Sequence, residues 1–241
     1  MDNLLGEFFG TMVLIIFGAG VCANCSLTKS KGQGGGWICI ATGWGFAVLM
    51  GVYTSVSLGA PQADLNPAVT LAKSFIGIYT VSQVITTSLA QIAGAFCGAA
   101  IVWLAYLPHW AVTEDKPTKL GIFCTAPAIR SAGANFLCEL IGTVVLVFLI
   151  WAIFNKANGP LPPAFGPYLV GILIWAIGLS LGGPTGYAIN PARDFGPRLA
   201  HAVLPIAGKG ESDWGYAWVP ILGPLAGGCV AYAIAAVIHL V

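Results

Sequence analysis

Charged residues divide this chain into long apolar stretches. None of Asp, Glu, Lys or Arg occurs over 8–28, 32–63, 74–113, 140–155, 157–192 or 214–241. A helix needs roughly 20 apolar residues to cross about 30 Å of hydrocarbon. The fourth stretch reaches that length only if its helix starts near Ala134 and buries Glu139; the others reach it unaided. Gly, Pro and charge clusters at Lys29–Gly36, Pro108–Lys119 and Lys156–Pro163 mark the breaks. The pattern predicts spans near 4–23, 37–58, 81–107, 134–155, 165–182 and 217–240, an all-α integral membrane protein.

Composition agrees. Of 241 residues, 57% are hydrophobic and 8% charged, with a mean hydropathy of +0.85. A soluble domain carries about a quarter charged residues. A net charge of +1 gives no basis for a nucleic-acid partner. Met1-Asp2-Asn3 lacks a basic leader region and the first apolar run is span-length, so no cleavable signal peptide is expected. Cys22-Ala-Asn-Cys25 has the spacing of a redox or zinc pair, but no second pair or nearby His accompanies it. The seven cysteines read as small apolar packing residues, and no metal or cofactor is expected. No His-Glu-x-x-His or Gly-x-Ser-x-Gly occurs, and Gly32–Gly36 lacks the Lys-Ser/Thr of a phosphate loop, which argues against an enzyme. His109, His201 and His239 are scattered and are assigned to loops or helix ends.

The chain repeats itself. Glu7-Phe-Phe-Gly-Thr-Met-Val-Leu14 matches Glu139-Leu-Ile-Gly-Thr-Val-Val-Leu146, and Asn66-Pro67-Ala68 recurs as Asn190-Pro191-Ala192. Gly94 and Gly98 in the third span recur as Gly223 and Gly227 in the sixth. Each half has an odd number of spans, so the second copy must enter the membrane upside down. The expected organisation is one domain over 1–241, with repeats over 1–107 and 134–241 and a connecting loop over 108–133.

The paired Asn-Pro-Ala motifs carry the chemistry. Asn favours the helix N-cap and Pro the first helical position, so a helix should start at each motif. About ten residues separate Asn66 from Gly77, or ~15 Å at 1.5 Å per residue, half a bilayer. The second half-helix, through Ala200, is expected to be similar. Inverted by the repeat, the two would meet N-terminus to N-terminus at the midplane. The preceding segments, near Gly59–Leu65 and Gly182–Ile189, would then be non-helical at membrane depth, which is tolerable only inside protein or against water. Ala63, Asp64, Leu65, Gly186, Ala188 and Ile189 are the candidate pore-lining backbone. Each Asn caps its own helix and keeps amide donors for the lumen. Two positive helix ends at the centre repel cations.

With these residues in view, the chain resembles the major intrinsic protein family, and within it the glycerol-facilitator branch. The resemblance implies six tilted helices plus two re-entrant half-helices, an aquaporin-like fold. It also implies a homotetramer with four separate pores, in the plasma membrane, with both termini cytoplasmic. Loop charges alone point the other way: Lys29, Lys31, Lys116, Lys119, Arg130, Arg193, Arg198 and Lys209 lie on the side opposite the termini, against Lys73 and Lys156. The resemblance places a selectivity filter at Trp44, Gly178, Tyr187 and Arg193. Two aromatic faces would hold a carbon backbone while Arg193 donates to hydroxyls. Trp44 also reads as an interfacial anchor. Asp194 is similar to the glycerol branch, and Glu7 and Glu139 are expected to support the pore loops. Two departures stand out: Asp64, where many relatives have His, and a segment before Asn66 about two residues longer through Ala60-Pro61-Gln62. Asp64 should make the inner mouth acidic.

The partners implied are therefore small neutral solutes, glycerol and water, and the lipid bilayer. A broader channel for dihydroxyacetone, hydrogen peroxide or protonated lactic acid stays open. A coupled secondary transporter also uses inverted repeats, but it would need ionisable groups in the membrane interior.

Overall fold

A computed structural model describes residues 3–241, and all regular structure among them is helical. Met1 and Asp2, on which the leader expectation partly rests, lie outside the described residues. In chain order the helices are α1 Leu4–Ser26, α2 Gly36–Ser57, α3 Pro67–Ser74, α4 Val81–Ala105, α5 Leu107–Val112, α6 Lys116–Phe123, α7 Ala132–Ile153, α8 Phe165–Leu181, α9 Pro191–Val203 and α10 Trp218–Val237. Helices α1, α2, α4, α7 and α10 are long and apolar enough to cross a membrane. At 17 residues, α8 sits at the short end of the spanning range. Phe17, Phe46, Leu89, Leu137 and Leu222 face outward, while Glu7, Thr11, Gln91, Glu139 and Thr143 are buried. Large apolar groups outside and polar groups inside suit a lipid solvent, and this is a multi-pass membrane protein.

The glycines explain how the helices pack. A Cβ at Gly94 would lie 2.1 Å from the Phe8 carbonyl oxygen, and one at Gly98 would lie 2.5 Å from that of Met12. In the second half, a Cβ at Gly223 would lie 2.8 Å from Glu139 Cβ, and one at Gly227 2.6 Å from the Leu140 oxygen. These pairs let α4 seat on α1 and α10 seat on α7 at backbone contact. The halves also interlock, because α9 packs on α4 and α3 packs on α10. Gly196 permits the first contact, where a Cβ would lie 2.7 Å from Ala95 Cβ, and Gly228 the second, 2.8 Å from the Ala68 oxygen. Each half-helix is thus gripped by the opposite half.

Two features differ from the sequence reading. The half-helices are unequal, with 8 residues in α3 and 13 in α9. Gly77, at φ +79°, ends the turn after α3. The C-terminus of α9 is held instead by Lys209, whose ammonium donates to the carbonyls of His201, Ala202 and Leu204. The connection over 108–133 is also not simply a loop, because it contains most of α5 and all of α6. Asp115 caps α6 by accepting from Thr118 N at 2.8 Å, and Pro117 follows in the first turn. Trp110, Ile122 and Phe123 are buried, and α6 packs on α1 and α9.

Candidate solute pathway

The two Asn-Pro-Ala motifs meet. Asn66 Oδ1 accepts from Ala68 N at 2.9 Å, and Asn190 Oδ1 accepts from Ala192 N at 3.0 Å and Arg193 N at 3.2 Å. Each amide also reaches across: Asn66 Nδ2 donates to the Ile189 oxygen at 2.7 Å, and Asn190 Nδ2 to the Leu65 oxygen at 2.8 Å. Each Asn therefore caps one half-helix and ties it to the loop before the other. An amide nitrogen carries two hydrogens, so one donor per Asn is left, and both residues line the cavity.

The loops entering the motifs are strained. Ala63 and Leu65 have φ of +41° and +52°, and Tyr187 and Ile189, at the same distances before Asn190, have +37° and +43°. Such non-glycine conformations cost roughly 1–3 kcal/mol each and persist only where surrounding contacts impose them. A buried carboxylate imposes them in each half. Glu7 accepts from Asp64 N and Leu65 N, both at 2.8 Å, and Glu139 accepts from Ala188 N at 3.0 Å and Ile189 N at 2.8 Å. Gln91, which sequence reasoning missed, donates to Glu7 at 2.9 Å and to Thr70 Oγ1 at 3.0 Å.

A cavity of ≈ 220 Å³ passes these loops. Ala63, Asp64, Leu65, Gly186, Ala188 and Ile189 all line it. Pro61, Phe154 and Pro167 also line it, as do Trp44, Tyr187 and Arg193. Trp44 is 5% exposed, so it is no interfacial anchor. Its ring occupies the space a Cβ on Gly18 would fill, and its Nε1 donates to Cys22 Sγ at 3.4 Å. The Arg193 guanidinium stacks over this indole, 3.9 Å from the ring centroid, and donates to the Phe123 oxygen at 3.2 Å. One face of Trp44 is thus taken by Arg193, and α6 positions the cation. Gly178 does not line the cavity. It lies behind Tyr187, where a Cβ would come within 2.6 Å of both Cζ and Oη.

The Tyr187 hydroxyl is buried with no partner. Its ring, and not its oxygen, therefore faces the pathway. Tyr187→Phe should leave glycerol flux within about twofold of wild type, because an unpaired buried hydroxyl contributes no net bond. Flux from vesicles at matched protein density checks this, and a tenfold loss would place the oxygen in solute binding.

The remaining acids have other partners. Asp64 is buried in an ion pair with Lys73 and accepts from Thr70 Oγ1 at 2.9 Å. Lys73 also lines the cavity, so the mouth expected to be acidic carries a neutralised pair. Asp194 pairs with Arg198, both fully buried. Asp194 Oδ2 accepts from Thr125 N and Oγ1, each at 2.8 Å. The five N–H groups of Arg198 meet Asp194 Oδ1 and Oδ2 and the carbonyls of Thr125, Ser212 and Asp213. This full set of bonds offsets the desolvation of the pair, and it fastens two connecting segments to α9. In the sequence Arg198 stands only as a loop charge. Pro67, Ala68, Pro191 and Ala192 are buried at the half-helix starts, off the cavity. His201 is buried near the end of α9, with Nδ1 2.8 Å from Ser212 Oγ. Among the described residues no cluster of His, Cys, Asp and Glu could hold a metal.

Comparison with known proteins agrees with this geometry. Residues 1–235 match the family described as Major intrinsic protein. The chain is 58% identical to glycerol uptake facilitator protein 3 of Lactiplantibacillus plantarum, over 95% of this chain and 93% of that one. It is 55% identical to a probable glycerol uptake facilitator protein of Thermotoga maritima, over 97% and 98%. The X-ray structure of the aquaglyceroporin from Plasmodium falciparum superposes with a TM-score of 0.83 at 29% identity, covering 97% of this chain and 94% of that one.

Proposed function

The chain belongs to the major intrinsic protein family, and from that premise we propose that it is a passive channel for glycerol and other small uncharged solutes, with water. The observation that carries the reading is that Trp44, Tyr187 and Arg193 all line the cavity, with Arg193 stacked on Trp44. Trp44 and Tyr187 offer apolar surface to a carbon backbone, and the Arg193 N–H groups not held by Phe123 donate to hydroxyls. Gly178 sets the space for Tyr187. Beyond the filter, the free amide donors of Asn66 and Asn190 take a permeating hydroxyl or water, and the loop carbonyls at 63–65 and 186–189 accept from it. The positive ends of α3 and α9, together with Arg193, exclude cations and interrupt proton transfer along water. Glu7, Glu139 and Asp194 are supports and not proton carriers. Among the described residues no carboxylate on the cavity wall stands free, since Asp64 is paired with Lys73, which favours a channel over a coupled transporter.

The working unit is one channel domain over 1–241, built of inverted repeats over 1–107 and 134–241. It assembles as a homotetramer in the plasma membrane with cytoplasmic termini. The charge bias that opposes this orientation is weaker in the folded protein, because Lys119, Arg193, Arg198 and Lys209 are engaged by internal partners and are not free loop charges.

Stopped-flow light scattering on reconstituted vesicles, comparing water, glycerol, urea and lactic acid, tests the reading. Glycerol flux well above that of protein-free vesicles, independent of any proton or sodium gradient, is the expected result. Water flux without glycerol flux would overturn the solute assignment, and lactic acid flux matching that of glycerol would favour the broader channel.

A further inference from the structure

Tyr187 is held in place from outside the pore. Its ring lies in a socket formed by Gly178 of α8, Gly182 just past the end of α8, and Trp37 of α2. Gly178 leaves room at the phenol end, as above. At the other end a Cβ on Gly182 would lie 2.6 Å from Tyr187 Cδ1 and 2.5 Å from Trp37 Cζ2, so the two rings converge on this glycine. Trp37 meets Tyr187 edge-on, with centroids 5.8 Å apart and ring planes at 76°. Its indole Nε1 donates to the Gly178 oxygen at 2.9 Å. That bond links the first turn of α2 to the last turns of α8.

Three properties make this more than packing. Tyr187 has no hydrogen bond of its own to fix it, because its hydroxyl is unpartnered. Its backbone is in the positive-φ region, which any residue of its size leaves readily when unsupported. Trp37 does not line the cavity, so a solute does not meet it. The ring's reach into the pathway is then set by what stands behind it: Gly178, Gly182 and Trp37.

We propose that Trp37 is a specificity-determining positioning residue, which fixes the width of the filter through Tyr187 without touching solute. This rests on the reading of Trp44, Tyr187 and Arg193 as the filter. With Trp37 removed, Tyr187 gains room to swing back toward α2 and the opening widens for solutes larger than glycerol.

The test compares glycerol with erythritol and xylitol in vesicles carrying wild type, Trp37→Phe, Trp37→Ala, Tyr187→Ala or the Trp37→Ala/Tyr187→Ala pair. Trp37→Phe keeps an aromatic edge but loses the N–H, so it covers the case in which Trp37→Ala fails to fold. A residue that merely stabilises the fold would change the amount of active protein, and hence all fluxes in proportion. A positioning residue changes their ratio. The expected result is a xylitol-to-glycerol ratio raised about fivefold or more in Trp37→Ala, and less in Trp37→Phe, on the scale by which pockets discriminate a carbon unit. Trp37→Ala should add nothing to the ratio already reached by Tyr187→Ala, since the first acts through the second. An unchanged ratio in both Trp37 variants, or equal rises with and without Tyr187, would overturn the proposal while glycerol flux in wild type keeps the channel reading intact. Wild-type vesicles that admit no polyol would overturn both.

Discussion

Glu139→Ala should abolish glycerol flux and lower the thermal midpoint of the purified protein by several degrees. The carboxylate is the acceptor for Ala188 N and Ile189 N, in a site where Glu139 is 1% exposed. Without it two buried donors lose their partner, at about 1–3 kcal/mol each. The strain at Tyr187 and Ile189, both at positive φ, then relaxes by moving the loop. The Ile189 carbonyl would leave Asn66, and Tyr187 would leave its place on the cavity wall. Glu139→Gln is the informative control. Its amide oxygen can still serve one N–H, but its NH₂ faces the other donor, so an intermediate loss is expected. Glu7→Gln should be no milder, because Gln91 Nε2 is a third donor, beside Asp64 N and Leu65 N, that faces this carboxylate. Near-normal flux and an unchanged midpoint in Glu139→Ala would show that the loop holds its shape without the bracket.

Gly178→Ala should separate glycerol from water. The added methyl would lie 2.6 Å from Tyr187 Cζ and Oη, closer than non-bonded atoms tolerate. Overpacking of this kind costs about 1–3 kcal/mol when neighbours must shift. Trp37 and Gly182 close the alternative directions, so the ring yields toward the cavity. A narrower opening obstructs a three-carbon chain before it obstructs water. A glycerol-to-water permeability ratio about tenfold below wild type is therefore expected, since 1.4 kcal/mol is a factor of ten. Combining Gly178→Ala with Tyr187→Phe removes Oη, one of the two crowded atoms, and should restore part of the ratio. Equal reduction of both fluxes, or no change, would mean that Tyr187 does not respond to its socket.

These two experiments probe different levels of the same construction. Glu139 holds backbone and Gly178 gives a side chain its place. The interlocking of α9 with α4 and of α3 with α10 explains why both are needed. The proposed filter draws on α2, α8, the loop before Asn190 and the first turn of α9, with Phe123 of α6 as a further support. Small displacements in any of these reach Tyr187 or Arg193 directly.

What the amino-acid sequence determined alone is whatever depends on neighbouring residues. Spans follow from the distance between charges, and the six predicted boundaries differ from α1, α2, α4, α7, α8 and α10 by three residues or fewer at each end. The starts of α3 and α9 follow from Asn as cap and Pro as first residue, a local preference. The same signals at Asp115 and Pro117 mark α6 inside the connection, where the spacing of charges shows only a break between spans.

Only the tertiary structure decided which groups meet. Arg193 and Trp44 stack from different halves of the chain, and Glu139 reaches a loop some 50 residues away. Nothing in spacing fixes such a pair, because it depends on how tilted helices cross. For the same reason Asp64 looked like an acidic mouth until Lys73, on the far end of α3, turned back to pair with it. Arg198 and Lys209 looked like free loop charges until the fold supplied Asp194 and the end of α9. A charge in a sequence is read by its neighbours along the chain. In the folded protein its energy is set by what lies within a few ångströms through space, and packing alone supplies that.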